Sequence, residues 1–175
     1  MKRVLVIHGP NLNLLGERCP EVYGRDSLAD IDRALSERAA GWGLEVESVQ
    51  TNHEGEIVEH LHRARSGFHG VLLNPGGYTH TSVAIRDAVE ASTVPVIEVH
   101  LSNLHAREPF RARSMTAAPA AGVVMGLGSV SYLAALCALS LLLQAKTPAA
   151  RPRGYTVRDV PANAARRRSR AKRAG

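Results

Sequence analysis

Cysteine is scarce in this sequence: Cys19 and Cys137 are the only two in 175 residues, and no CxxC spacing occurs. Two such residues cannot make a disulfide framework, and a reducing, cytoplasmic setting is expected. Lysine occurs only at positions 2, 146 and 172, none at the end of an expected strand, which argues against Schiff-base chemistry. There is no GxxxxGK[ST] phosphate loop and no GxSxG nucleophile elbow. "GLGSVS" at 126–131 half-matches a dinucleotide fingerprint, yet it follows the last expected strand and lacks the later acidic residue. A tight strand-to-helix turn is the better reading. His60 and His62 point apart on a helix, and His100 and His105 lack a third ligand at sensible spacing. Neither a metal nor a cofactor is expected.

Long apolar runs are also missing. "MKRVLVIHGPN" has only four consecutive apolar residues, too few for the apolar core of a secretory signal. No charged residue occurs from Ser114 to Ala145, a length compatible with a membrane span. Pro119, Gly122 and "GLGS" divide that run into strand, turn and helix, so no membrane span is expected. Its final part, "YLAALCALSLLL", is apolar nearly all round. Such a helix points to burial by neighbouring subunits as well as by a sheet.

The net charge of +6 conceals two unlike parts. Thirteen basic and fifteen acidic residues precede Pro148, whereas nine basic residues and Asp159 follow Thr147. The body is therefore mildly acidic and the excess positive charge belongs to the tail. Residues 1–147 read as one catalytic-size domain. Residues 148–175, rich in Pro, Ala and Arg, read as a basic, disordered appendage. The tail admits two readings: a solvated charge run, or an electrostatic contact with nucleic acid or another polyanion through Arg166–Arg173. Few aromatics interleave its charges, so sequence-specific recognition has no support.

What is present is alternation. Segments 4–7, 44–49, 70–74, 94–100 and 121–126 read as strands, mostly continuous apolar runs of the kind covered by helices on both faces. Ser27 with Asp30 three residues on caps one helix, "EGEIVEHLHRARSG" and "TSVAIRDAVEAS" supply two more, and a last spans about 129–145. Five βα units predict an α/β, doubly wound, three-layer parallel sheet of flavodoxin-like order 2-1-3-4-5. Between the first strand and first helix, "HGPNLNLLGERCPEVYG" reads as neither helix nor strand. Loops of this length are usually functional or disordered.

In such sheets ligands bind beyond the carboxyl ends of the strands, at the switch in strand order. Those ends carry Asn11, Asn13, Arg18 and Tyr23; then Asn74, Gly76, Gly77, His80 and Ser82; then Glu98, His100, Ser102, Asn103, Arg107 and Arg111. Strands 1, 3 and 4 are neighbours in this order, so the three groups should converge. The chemistry available is proton transfer by His, Tyr, Arg and amides. Glu98 and His100, two apart on a strand, share a side, and the carboxylate can orient the imidazole as a general acid. Arg18 lies five residues before Tyr23 in the same loop. A cation about 4 Å from a phenolate contributes on the order of 4 kcal/mol at an effective dielectric near 20. Less desolvation, about 2–4 kcal/mol remains, enough to bring a tyrosine from ~10 toward 7–8 and make it a usable base.

At these residues the sequence closely resembles the type II 3-dehydroquinate dehydratases of the shikimate pathway. The segments carrying the likeness are "GPNLNLLGERCPEVYG", "NPGGYTHTSVAIRDA", "VPVIEVHLSNLHAREPFRARS" and "GLGSVSYLAAL". It spans about residues 3–146 and leaves out the tail. The resemblance implies loss of water from 3-dehydroquinate to give 3-dehydroshikimate, without metal or cofactor, by a trimer-based dodecamer. It implies Tyr23 as base, Arg18 as the cation lowering its pKa, Asn11 as enolate stabiliser, and His100 held by Glu98 as acid. Asn74, His80, Arg111 and the backbone amides of Leu101 and Ser102 would hold the substrate. Asp87, by position alone an outward-facing solvated charge, would reach a neighbouring subunit's site. Cys19 stands where the family commonly has Glu or Gln, and the expectation is altered closure, or oxidation sensitivity, of a mobile lid.

Overall fold

In the computed structural model, which describes residues 1–17 and 25–145, strand β1 (Lys2–His8) lies inside the sheet, between β2 and β3. Its four central residues are fully buried and alternate between two cores. Val4 and Val6 pack under helices α1 (Leu28–Gly41) and α4 (Val130–Gln144); Leu5 and Ile7 pack under α2 (Glu54–Gly67) and α3 (Val83–Glu90). Burying each of these side chains contributes roughly 1.5–3 kcal/mol, which is what commits a four-residue apolar run to the middle of a sheet. The remaining strands are β2 (Leu44–Gln50), β3 (Gly70–Asn74), β4 (Val96–His100) and β5 (Gly122–Met125). All pair in parallel, in the order β2-β1-β3-β4-β5. This is the three-layer, doubly wound, flavodoxin-like arrangement expected from the alternation of patterns.

Local chemistry accounts for the boundaries. The Ser27 hydroxyl accepts from the Asp30 N–H at 3.2 Å while the Asp30 carboxylate accepts from the Ser27 N–H at 3.0 Å, a reciprocal cap that starts α1. Ser82 caps α3 through the Ile85 N–H at 2.8 Å. β4 begins at Val96 rather than at 94, because Pro95 has no N–H to give to the ladder. Helix α4 has 15 residues, about 22 Å at 1.5 Å per residue, against the ~30 Å of a bilayer core. Among the described residues no helix is long and apolar enough to cross a membrane.

The first connection differs from its expectation at both described points. His8 is not loop: it is the last residue of β1 and is fully buried. Leu12–Leu14 then forms a 3₁₀ turn, with Leu12 and Leu15 tucked into the α1/α4 core, where their burial outweighs the glycine and proline signals around them. Residues 18–24 and 146–175 lie outside the described residues. The expectations for Arg18, Tyr23, the Cys19 lid and the basic tail therefore fall there.

Candidate active site

The strand register aligns His8 with Gln50 on one side and Asn74 on the other, so the polar ends of β1, β2 and β3 leave the sheet together. The loops after β1 and β3 then cross at contact distance. The Gly9 N–H donates to the Asn74 carbonyl at 2.8 Å, and a Cβ at Gly9 would lie 2.7 Å from that same oxygen. Glycine is required by this crossing. Beyond it opens a cleft lined by Asn11, Asn74, His80, His100, Leu101, Ser102 and Arg111 among others. With Gly76, Gly77 and Arg107, ten of the candidate residues from the ends of three strands are thus brought together.

Glu98 lies behind His100, and its carboxylate is saturated with donors. Oε1 accepts from His100 Nε2 at 2.7 Å, from Thr79 Oγ1 at 2.8 Å and from Ser114 Oγ at 3.0 Å; Oε2 accepts from Thr116 Oγ1 at 2.6 Å. Burial alone would raise this carboxyl, but the hydrogen bonds from His100, Thr116 and Thr79 outweigh it and hold it below the ordinary glutamate range. An ionised Glu98 accepts only, so His100 carries its proton on Nε2 towards Glu98. Nδ1 is left as the nitrogen that can take and give a second proton. The period of two along β4 produced this pair as expected.

His80 donates from Nδ1 to the Arg113 carbonyl at 2.8 Å, while its Nε2 is buried without a hydrogen-bond partner. In the neutral ring that nitrogen is an acceptor at the edge of the cleft. Arg111 is braced by Glu108 at 2.9 Å and lies over the Phe110 ring at 4.8 Å, so its guanidinium is oriented as well as charged. Asn11 occupies the left-handed region at φ 66°, where asparagine is among the few tolerated residues. Its N–H donates to Asn52 Oδ1 at 2.9 Å, and Gln50 Nε2 donates to the same oxygen at 3.1 Å.

Asp87 is not in this cleft. It is exposed on α3 and ion-paired with Arg86 at 2.8 Å, as its outward position predicted. Among the described residues no group of three or more His, Cys, Asp or Glu side chains is arranged to hold a metal ion. Gln50 and Asn52 escape sequence reasoning, because β2 lies away from the switch in strand order, where ligands are expected. His8 and Tyr132 were missed too: one sat in an assumed loop, the other in an apolar helix.

The family model described as dehydroquinase class II matches residues 2–140. The chain belongs to this class II dehydroquinase family. The curated 3-dehydroquinate dehydratase 2 of Pseudomonas putida is 54% identical over 141 residues, covering 81% of this chain and 95% of that one. The 3-dehydroquinate dehydratase of Ralstonia pickettii is 56% identical over 137 residues, covering 78% of this chain and 88% of its own. Crystal structures of type II dehydroquinases from Butyrivibrio crossotus and Propionibacterium acnes each superpose with a TM-score of 0.77, at 40% and 39% identity. They cover 79% and 80% of this chain and 97% of each of those chains. In this dehydroquinase the matched region contains the whole cleft and stops short of the tail.

Proposed function

We propose that this dehydroquinase removes water from 3-dehydroquinate to give 3-dehydroshikimate by a stepwise route through an enolate. The observation that carries the proposal is the buried Glu98–His100 pair at 2.7 Å, opening onto a cleft lined by amides, His80 and Arg111. In this reading Tyr23, its phenol acidified by Arg18, takes the proton alpha to the ketone. The electron pair moves into the enolate, and Asn11 donates to the oxygen where charge develops. The enolate then collapses, the beta hydroxyl departs, and His100 Nδ1 delivers the proton that makes it water. Glu98 stabilises the imidazolium before that transfer. Asn74, His80, Arg111 and the Leu101 and Ser102 amides hold the carboxylate and hydroxyls. No step calls for a metal or a cofactor.

The half-buried apolar residues of α4 and its exposed Val130, together with exposed Val123 and Leu127 ahead of it, favour self-association. The assembly proposed is a trimer-based dodecamer, in which Asp87, on α3 across the sheet from that surface, approaches a neighbouring site. The division of labour is tested by exchange in deuterium oxide. His100→Ala should still incorporate deuterium alpha to the ketone while dehydration is slowed at least a hundredfold. Tyr23→Phe should lose both. Equal loss of exchange and dehydration in His100→Ala would contradict the assignment.

A further inference from the structure

Behind the pocket a polar chain runs through otherwise apolar packing. Asn74 Nδ2 lies 3.1 Å from Tyr132 Oη, Tyr132 Oη lies 2.8 Å from His8 Nδ1, and His8 Nε2 lies 3.0 Å from Asp32 Oδ1. Four elements contribute: β3, α4, β1 and α1. His8 and Tyr132 are fully buried and Asn74 is 2% exposed, while the Asp32 side chain at the far end is 33% exposed. At the near end, Asn74 Oδ1 accepts from the Gly76 N–H at 3.1 Å.

With the His8 ring neutral, the hydrogens in this chain have one consistent arrangement. Burial would raise Asp32, but hydrogen bonds from His8 and Ser48 outweigh it and hold the carboxyl low, so it accepts. His8 therefore donates from Nε2. An amide nitrogen only donates, so Tyr132 Oη accepts from Asn74. Burial pushes the Tyr132 phenol up, so its own O–H persists and donates to the bare Nδ1 of His8. Rotating the Asn74 amide by half a turn would set its N–H₂ against the Gly76 N–H. Both ends of the chain thus forbid the flipped amide, although Asn74 Oδ1 and Nδ2 are nearly equal in size.

Packing alone does not call for these residues. Phenylalanine at 132 and an apolar residue at 8 would fill the same space without burying polar atoms that must all be satisfied. The chain ends on Asn74 and on the turn supplying Gly76, Gly77 and His80 to the cleft. Gly76 sits at φ +57° with the loop after β1 packed against it, so a displaced Asn74 would move the floor of the pocket. We propose that Tyr132, His8 and Asp32 are positioning residues that fix the amide orientation of Asn74 for substrate binding. This rests on the reading of the cleft as the 3-dehydroquinate site. Tyr132 Oη accepts one of the two Asn74 N–H donors, and the other is directed to a substrate oxygen.

Tyr132→Phe leaves His8 Nδ1 and Asn74 Nδ2 without a partner and changes nothing else in size. kcat/KM should fall about tenfold, well inside the cost of misplacing a positioning group. The loss should appear in KM, because Asn74 holds substrate and transition state alike. In an Asn74→Ala background the same substitution should change kcat/KM by less than twofold, since the relay then has nothing to position. A folded Tyr132→Phe with unchanged kcat/KM, or a loss that recurs in full beside Asn74→Ala, overturns the proposal. Should Tyr132→Phe not fold, Asp32→Ala at the part-exposed end should raise KM about threefold, and an unchanged KM counts against it. Nitrogen NMR of histidine-labelled wild type reads the chain without turnover. Neutral His8 protonated on Nε2 is expected, and the opposite tautomer overturns the relay. A wild type that binds but does not turn over 3-dehydroquinate would instead refute the functional reading.

Discussion

Replacing Glu98 by glutamine probes the centre of the site with little change of shape. The glutamine carbonyl can still accept from His100 Nε2 and Thr79, and its N–H₂ meets the Thr116 hydroxyl, which can turn to accept. What disappears is the charge. An imidazolium and a carboxylate with charge centres about 4 Å apart attract by about 4 kcal/mol at an effective dielectric near 20. The neutral hydrogen bond that remains recovers about 0.5–1.5 kcal/mol. Some 2.5–3.5 kcal/mol of stabilisation of the proton-loaded acid is then lost, roughly a 70- to 400-fold fall in kcat at 1.36 kcal/mol per factor of ten. Because Glu98 is fully buried, solvent screening does not shrink this figure. The assay is initial-rate absorbance of the conjugated enone product, with a thermal melt to show that the variant is folded. A folded Glu98→Gln within threefold of wild-type kcat would refute the role given to the pair.

Acid should destabilise the protein through the same carboxylate. Glu98 and Asp32 titrate below their ordinary values in the folded state, so the unfolded chain binds more protons in the acid range. Their contribution is complete above about pH 4.5, where both are ionised even when unfolded, and is lost as pH falls through the folded values. Urea melts at a series of pH values should show this limb flattened in Glu98→Gln. Gly9→Ala forces a Cβ against the backbone of Asn74 and Pro75, and should cost about 1–3 kcal/mol in denaturant melts with at least a tenfold loss of kcat/KM. Arg18→Ala should lose most of kcat while substrate binding persists, read by titration calorimetry. Deleting residues 148–175 should leave kcat/KM within twofold and remove any salt-sensitive RNA binding measured by filter retention.

The sheet was legible because its strands are nearly uninterrupted apolar runs and its helices carry their own caps, as Ser27 and Ser82 show. Glu98 and His100 were legible because a strand repeats every two residues. The relay was not. His8 and Tyr132 meet across 124 residues of sequence, and a tyrosine inside "SYLAALCALSLLL" looks like any other core side chain until its hydroxyl is seen to have partners. Gln50 and Asn52 escaped notice for a related reason. Their effect on Asn11 passes through hydrogen bonds between loops that hydrophobic patterning does not encode. Leu12 and Leu15 turned an expected loop into a 3₁₀ turn by finding a core that no local signal announced.

Turnover is the most direct test of the proposed dehydration. Purified protein, treated with a chelator and supplied with 3-dehydroquinate alone, should produce the enone absorbance, and His100→Ala should reduce it at least a hundredfold. A folded wild type that binds 3-dehydroquinate and yields no enone would contradict it.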